Sequence, residues 1–341
     1  MPKKVLITGG AGFVGAFVID MLLKRTDWDI ICLDRLDYSG NLNRIDEVLQ
    51  EHPVNERKRF KTVFHDLKSE LNPLVQSFIG NPNIILHLAA GSHVDRSITH
   101  PMEFCMDNVV GTVNLLEYAR RLDNLELFYY QGTDEVYGKA ETGVNYKERD
   151  RYNSTNPYSS SKASAEQFCV AFENCYNLPL IIGRSMNIFG KMQTPEKYIP
   201  GTIDKVNIGE KVIIHANPEC TKAGSRFYIH GDDFADALYF LITKQPEVEV
   251  DYGGAKTKMF NIVGKDEVDN LTLANMIAQC QGKELIYQLV DHHSSRPGHD
   301  TRYSLDGSLM ESLGWKPTIS LIERIQQVTD WYLENPRWLG R

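Results

Sequence analysis

Tyr158 and Lys162 form the pair of side chains in this sequence best suited to moving a proton. Four residues make about one helical turn, so on a helix both side chains lie on one face. A nearby ammonium favours the phenolate, and we expect it to lower the tyrosine pKa from about 10 towards neutral pH. The phenol could then exchange a proton with a substrate hydroxyl. Because surface Tyr–Lys pairs with this spacing are common, the interpretation depends on the surrounding elements.

Two adjacent acids, Asp134 and Glu135, follow Thr133 shortly upstream of this pair. They come just after a predicted strand, and open α/β sheets bind ligands at the carboxyl ends of their strands. Neighbouring carboxyl groups can be driven apart in pKa, which gives one proton donor and one base. In a solvated loop such acids usually serve only as caps, but their position near Tyr158 favours a catalytic role.

Short apolar runs alternate with longer helical patterns through the first half of the chain. The predicted strands are Val5–Thr8, Asp29–Leu33, Phe60–Phe64, Ile84–Leu88, Leu125–Tyr130 and Leu180–Gly183. The predicted helices are Phe13–Lys24, Asn41–Gln50, Glu70–Phe78, Met102–Leu122, Ser159–Tyr176, Gly231–Ile242 and Leu271–Gln281. This alternation predicts an α/β fold, a Rossmann-type doubly wound parallel sheet, followed by a smaller mixed α/β C-terminal substrate region. We assign residues 1–186 to the dinucleotide-binding and catalytic domain, and 187–341 mainly to substrate binding, interleaved with late elements of the main sheet.

A glycine-rich turn joins the first strand to the first helix, with Gly9, Gly12 and Gly15 in a G-x-x-G-x-x-G spacing. The missing side chains would let a pyrophosphate approach backbone N–H groups at the helix N-terminus. About twenty residues later, Asp34 ends the second strand, where an acid can bond the ribose hydroxyls and repel a 2′-phosphate. The pattern therefore favours NAD over NADP, although Arg35 follows directly.

Bulk properties narrow the class of protein. The net charge is −8, which argues against a general nucleic-acid binder. No stretch approaches the ~18 apolar residues needed to cross a bilayer, so no membrane association is expected. The six cysteines form no C-x-x-C pair, and we expect free thiols and a cytoplasmic location. The histidines show no metal-ligand spacing, so no metal site is expected.

Taken together, these motifs resemble the dTDP-glucose 4,6-dehydratase group of the extended short-chain dehydrogenases (the NAD-dependent epimerase/dehydratase family), over nearly the whole chain. The resemblance rests on Thr133-Asp134-Glu135-Val136-Tyr137-Gly138, Tyr158-Ser159-Ser160-Ser161-Lys162, His87-Leu88-Ala89-Ala90 with Ser92-His93-Val94-Asp95-Arg96-Ser97, and Arg296-Pro297-Gly298-His299-Asp300. It implies a lyase with tightly held NAD that acts on a nucleotide-diphosphate hexose. The product would be a 4-keto-6-deoxyhexose.

The resemblance also implies roles for individual residues. Tyr158 would take the proton of the C4 hydroxyl while C4 is oxidised, and Thr133 would hold that oxygen. Glu135 would remove the C5 proton, Asp134 would protonate the departing C6 hydroxyl, and hydride would return to C6. The other expected cofactor contacts are Phe13, Val14, Asp66, Leu67 and Ala89, with a helix cap as the alternative for Asp66. The expected substrate contacts are Ser92, His93, Asn187, Glu196, Lys197, Arg226, Arg296 and His299, with surface ion pairs as the alternative for both arginines.

The sequence departs from the family pattern in three places. Gly91 stands where the family commonly has Glu, Gly132 stands where Ser is usual, and the stretch 217–224 is longer than its counterpart. Because the last region should border the nucleotide, the base remains open between dTDP, UDP and others. The alternatives are a 4-epimerase or uronic-acid decarboxylase of the same fold, which would lack the Asp–Glu pair, and a non-catalytic NAD-sensing regulator. The helices at 102–122 and 159–176 either pair across a two-fold axis, giving the homodimer that the resemblance implies, or pack only on their own sheet.

Overall fold

A sheet of seven parallel strands runs through the protein, which a computed structural model describes over residues 2–248, 256–291 and 302–341. The strand order is β10-β6-β5-β4-β1-β2-β3. Strand β1 lies between β2 and β4, so the chain adds strands on one side of β1 first and then on the other, and the order reverses there. The strands are β1 Lys4–Thr8, β2 Asp29–Asp34, β3 Phe60–Phe64, β4 Ile84–His87, β5 Leu127–Thr133, β6 Leu180–Ser185 and β10 Lys258–Ile262. The predicted Rossmann-type doubly wound sheet is confirmed.

The helices connect these strands and cover both faces of the sheet. They are α1 Phe13–Arg25, α2 Leu42–Gln50, α3 Val54–Arg57, α4 Pro73–Ile79, α5 Val94–Thr99, α6 Pro101–Phe104, α7 Gly111–Ala119, α8 Pro157–Tyr176, α9 Tyr198–Ile208, α10 Gly231–Lys244, α11 Asn270–Cys280, α12 Ser308–Ser312 and α13 Leu321–Glu334. A π-helical turn, Cys105–Val110, joins α6 to α7. None of the helices in the described part of the chain is long and apolar enough to span a bilayer.

Alternating side chains of the strands divide the core into two layers. Val5 and Ile7 of β1 face one apolar cluster with α1 and α10, whereas Leu6 faces the other cluster with α7 and α8. This is the period of two that a strand buried on both faces requires.

Two small sheets and a third apolar cluster form the C-terminal region. Their strands are β7 Asn187–Phe189, β9 Ser225–His230 and β11 Glu267–Asp269 in one sheet, and β8 Val212–Ala216 and β12 Tyr287–Asp291 in the other. The third cluster packs α9, α11 and α13 together through residues such as Ile203, Leu273 and Ile325.

Several predicted boundaries are wrong by a few residues. Helix α4 begins at Pro73 instead of Glu70, because the Asn72 side chain accepts a hydrogen bond from Val75 N and caps it. The predicted helix 102–122 ends at Ala119 and contains the π-helical turn. Strand β5 starts later than predicted and extends to Thr133, so the acidic pair directly follows the carboxyl end of this strand.

Candidate active site

The glycine-rich turn lies between β1 and α1, where the strand order reverses. Gly9 has a φ of +73°, and a Cβ there would lie 2.8 Å from the backbone of Ala89, which follows β4. A Cβ at Gly15 would lie 2.5 Å from the carbonyl oxygen of Gly9. Gly12 precedes the first turn of α1 and provides no side-chain cap to its N–H groups. The turn therefore keeps backbone N–H groups accessible at the helix N-terminus, as a pyrophosphate would need.

Asp34 ends β2 beside this turn and holds it in place. Its carboxylate accepts hydrogen bonds from Ala11 N at 3.0 Å and Leu36 N at 2.9 Å. Burial raises the pKa of Asp34, while these backbone bonds oppose the rise. Arg35 turns away to a bidentate pair with Asp107, at 2.6 and 2.7 Å. Its guanidinium is therefore already held by a carboxylate.

Asp66 follows β3 and closes a turn instead of capping a helix. Its Oδ1 accepts a hydrogen bond from Lys68 N at 3.0 Å, and the next helix, α4, is capped by Asn72.

Helix α8 carries Tyr158 and Lys162 in its first two turns. Asn156 caps it, Pro157 occupies its first position, and Ser159 completes a capping box. The Lys162 ammonium donates to the backbone oxygen of Gln131 at 2.6 Å. Burial lowers the pKa of Lys162 to about 8, partly opposed by the charge of a glutamate one turn further along α8.

The expectation that a nearby ammonium lowers the pKa of Tyr158 is wrong when only the protein's own charged groups are considered. Burial raises the pKa of the phenol far above 10, the charges of Glu135 and Asp134 add to the rise, and hydrogen bonding with Thr133 opposes it. The Lys162 ammonium points instead to the Gln131 carbonyl. The protein's own groups therefore favour the protonated phenol.

Asp134 and Glu135 occupy the turn that follows β5 and have different surroundings. The Thr133 hydroxyl donates to Asp134 Oδ1 at 3.0 Å. Burial raises the pKa of Asp134 to about 6, and the charge of Arg226 opposes this rise. Glu135 Oε2 lies 3.2 Å from Asn156 Nδ2 and 3.4 Å from the Tyr303 hydroxyl. Asp134 thus has a pKa close to neutral pH, whereas the Glu135 carboxylate accepts hydrogen bonds.

A single cleft of about 570 Å³ joins the glycine turn, the acidic pair and the start of α8. Most of the predicted site residues line it: Gly9, Gly12, Phe13, Val14, Gly15, Asp34, Arg35, Asp66, Leu67, Ala89, Ser92, Thr133, Asp134, Glu135, Tyr158, Lys162, Asn187, Glu196 and Lys197. The cleft lies at the carboxyl ends of the strands, beside the reversal of strand order, where such sheets bind ligands.

The remaining predicted residues lie elsewhere. His93 precedes α5, and Arg226 lies on β9 with its guanidinium 4.7 Å from the ring centre of Tyr303; neither lines the cleft. Arg296 and His299 fall outside the described residues.

Three residues in or beside the site escaped sequence reasoning. Asn156 and Tyr303 contact Glu135, and the asparagine before Pro157 was visible as a helix-cap signal. Arg44 is buried and lines the cleft. It donates to the carbonyl of Met192 at 2.9 Å and to that of Ala11 at 3.2 Å, joining the substrate segment to the glycine turn.

The fold and the Tyr–Lys pair define a short-chain dehydrogenase/reductase of the extended type. The chain belongs to the GDP-mannose 4,6 dehydratase family, whose model matches residues 6–328. It is 34% identical to a dTDP-glucose 4,6-dehydratase of Escherichia coli, over 99% of this chain and 96% of the relative. It is also 34% identical to the Arabidopsis thaliana trifunctional UDP-glucose 4,6-dehydratase/UDP-4-keto-6-deoxy-D-glucose 3,5-epimerase/UDP-4-keto-L-rhamnose-reductase, covering 99% of this chain and 48% of that protein. The structure of DesIV, the dTDP-glucose 4,6-dehydratase of Streptomyces venezuelae with NAD bound, superposes with a TM-score of 0.85 at 30% identity, covering 98% of each chain. The predicted family is confirmed.

Proposed function

We propose that this protein is an NAD-dependent nucleotide-sugar 4,6-dehydratase, a hydro-lyase that converts a nucleotide-diphosphate hexose into its 4-keto-6-deoxy form. The observation that carries the proposal is the shared cleft of Asp134, Glu135 and Tyr158, beside the glycine turn. Family membership and the 4,6-dehydratase relatives support it. A 4-epimerase or uronic-acid decarboxylase needs the Tyr–Lys pair but not the two acids.

NAD fits the residues of the cleft. A Cβ at Gly9 or Gly15 would collide with backbone where the pyrophosphate should approach α1. Asp34 faces the cleft as a ribose partner, and the engagement of Arg35 by Asp107 leaves that guanidinium unsuited to a 2′-phosphate. The chemistry that NAD supplies when bound is hydride acceptance from C4 and delivery to C6, with a cationic nicotinamide that favours the phenolate of Tyr158.

During oxidation, Tyr158 and Lys162 of α8 act on the C4 hydroxyl. Tyr158 accepts its proton as the C4 ketone forms, and the Lys162 ammonium, which lies one turn further along α8 and donates to the Gln131 carbonyl, adds positive charge to the same cleft. The Thr133 hydroxyl donates to the developing ketone oxygen. A neutral Lys162 would lose this effect, so its pKa of about 8 sets an upper pH limit to the oxidation step.

During elimination, Glu135 acts as the base and Asp134 as the acid. The ketone at C4 acidifies the C5 hydrogen, and Glu135 takes that proton while its electron pair enters the enolate. The C6–O bond then breaks as Asp134 gives its proton to the leaving hydroxyl, which departs as water. When hydride returns to C6, the Glu135 carboxyl gives its proton back to C5, which completes the 4-keto-6-deoxy product. A carboxyl group with a pKa of about 6 still holds a proton in part of the molecules at neutral pH, which suits a general acid.

For the rest of the substrate, we propose that Asn187 and Lys197 bind the sugar diphosphate from the cleft wall, and that Glu196 contacts hydroxyl groups of the substrate. We also assign Ser92 of the cleft wall and the adjacent His93 to substrate binding, together with His299. Arg226 and Arg296 are the proposed partners of the diphosphate, although Arg226 lies outside the cleft lining. Arginine suits this task because its planar fork matches phosphate oxygens. The relatives act on dTDP- and UDP-glucose, and both remain candidates for the nucleotide.

We further propose that residues 1–186 form the NAD-binding domain and 187–341 mainly the nucleotide-sugar region, with β10 returning to the main sheet. A homodimer is the expected assembly, because α6, its π-helical turn and α8 expose Met102, Met106 and Phe168 on neighbouring elements. Sedimentation of the wild type beside Met102→Glu would test the dimer. The six free thiols favour the reducing cytoplasm.

The activity is tested by incubating purified protein with dTDP-, UDP-, GDP- and CDP-hexoses and following the loss of 18 mass units, about that of one water, on the nucleotide sugar. Glu135→Gln should still oxidise C4 but lose exchange of the C5 hydrogen with solvent, whereas Tyr158→Phe should lose oxidation itself. Inversion at C4 without water loss would identify an epimerase. Protein that retains NAD but leaves every hexose unchanged would favour the regulator.

A further inference from the structure

One buried amide connects the start of helix α8 to the carboxylate of Glu135. Asn156 is 5% exposed and immediately precedes α8. Its Oδ1 accepts a hydrogen bond from Ser159 N at 2.9 Å, which caps the helix. Its Nδ2 lies 3.2 Å from Glu135 Oε2, on the turn after β5. The amide oxygen of Asn156 therefore caps α8, while the amide nitrogen of the same side chain contacts the turn after β5.

Among the common N-cap residues, asparagine carries its acceptor and its donor on two separate atoms, so one side chain can accept from the helix and donate to a distant carboxylate. Serine and threonine cap well, but their single hydroxyl cannot extend to both partners in opposite directions. Aspartate caps equally well, but at neutral pH it offers only acceptors and a second negative charge. The choice of asparagine therefore serves the helix and Glu135 together.

Glu135 lies among other groups that affect its charge. Asp134 precedes it on the same turn, and the Tyr158 phenol faces it from α8. The Tyr303 hydroxyl approaches Oε2 from the segment before α12, with Arg226 of β9 behind the ring. Asn156 is a neutral donor that is hydrogen-bonded to the first turn of α8, where Tyr158 lies.

We propose that Asn156 is a positioning residue for the elimination step: it fixes the carboxylate of Glu135 relative to Tyr158, so that the base for C5 and the phenol for C4 keep one geometry across both halves of the reaction. This inference rests on the proposed function, since it assigns Glu135 to the C5 proton. It predicts separate effects on the two halves, which a purely structural cap would not produce.

Asn156→Ser and Asn156→Asp test this, because both keep a good helix cap while removing the donor to Glu135. We expect an unchanged thermal midpoint in Asn156→Ser and a lower one in Asn156→Asp, whose buried charge lies beside Glu135. In both variants C4 oxidation should stay within about twofold of wild type, while C5 solvent exchange slows about tenfold or more. In Asn156→Asp the added charge should also move the acidic limb of the exchange profile to higher pH. Equal slowing of oxidation and exchange would reduce Asn156 to a cap, and unchanged exchange would overturn the proposal.

A measurement without substrate separates this inference from the proposed function. Infrared titration of the Glu135 carboxylate, isolated by subtracting the spectrum of Glu135→Gln, should show a raised pKa in Asn156→Ser and a larger rise in Asn156→Asp. If that shift appears while no nucleotide hexose is dehydrated, the contact stands and the proposed function fails. Without the shift, the positioning role is refuted whatever the activity.

Discussion

Replacing Asp134 by asparagine should stabilise the protein at alkaline pH while removing its proton donor. Burial raises the pKa of this carboxyl to about 6, above its ordinary value of 3.8. The folded state therefore holds the proton more tightly than the unfolded state, so the contribution of Asp134 to stability is present at low pH and is lost as the pH rises through 6. At about 1.4 kcal/mol per pH unit, the rise of about two units makes the charged form cost about 3 kcal/mol at pH 8.

Asparagine removes this charge and keeps the acceptor for the Thr133 hydroxyl. The variant should gain up to about 3 kcal/mol in the free energy of unfolding at pH 8, and less than about 1 kcal/mol near pH 4. Denaturant unfolding at both pH values measures the difference, with Asp123→Asn as a control at an exposed carboxylate. Asp134→Asn should still oxidise C4 and exchange the C5 hydrogen, but it should release water poorly. An equal gain at both pH values, or none at pH 8, would refute the argument from burial.

Three further predictions concern the buried groups around α8. The alkaline limb of C4 oxidation should follow an apparent pKa of about 8, that of Lys162, and a pH profile of single-turnover nicotinamide reduction would show it. Gly132→Ser should lose about 1–3 kcal/mol of stability, because a Cβ there would lie 2.3 Å from Glu166 Oε1 and 3.0 Å from Arg184 Cγ; denaturant unfolding measures this. Glu166→Gln should cost about 3–5 kcal/mol in the same assay, since both partners of its 2.7 Å ion pair with Arg184 are fully buried. Unchanged stability in either variant would contradict the close packing at this point.

Local sequence signals were sufficient for the sheet and the glycine turn. A short apolar run such as Val5–Thr8 is typical of a strand that is buried on both faces of a sheet. The glycine spacing together with Asp34 marks the first βαβ unit. Boundaries were less predictable, because they depend on individual caps. Asn72 stops α4 from starting at Glu70, and pairing with β6 carries β5 on to Thr133.

The parts of the site that escaped prediction depend on contacts distant in sequence. Tyr303 approaches Glu135 across 168 positions, and Arg44 holds the Met192 carbonyl across 148. No periodicity or spacing encodes such pairs. The glycine at 132 shows the same dependence, because Glu166 of α8 occupies the space where a Cβ would lie.

Burial acts on Tyr158, Asp134 and Lys162 in one direction, towards the neutral form of each group. It raises the pKa of Tyr158 and Asp134 and lowers that of Lys162. As the pH rises from 6 to 8, Asp134 loses its proton first, while the Lys162 ammonium persists. Elimination should therefore slow before oxidation does, and the 4-keto hexose should accumulate over this interval. Both effects have one physical cause, the burial of Asp134 and Lys162 in the same cleft. Burial raises the pKa of the carboxyl group, which makes it a proton donor near neutral pH, and it lowers the pKa of the ammonium, which brings that group close to losing its charge.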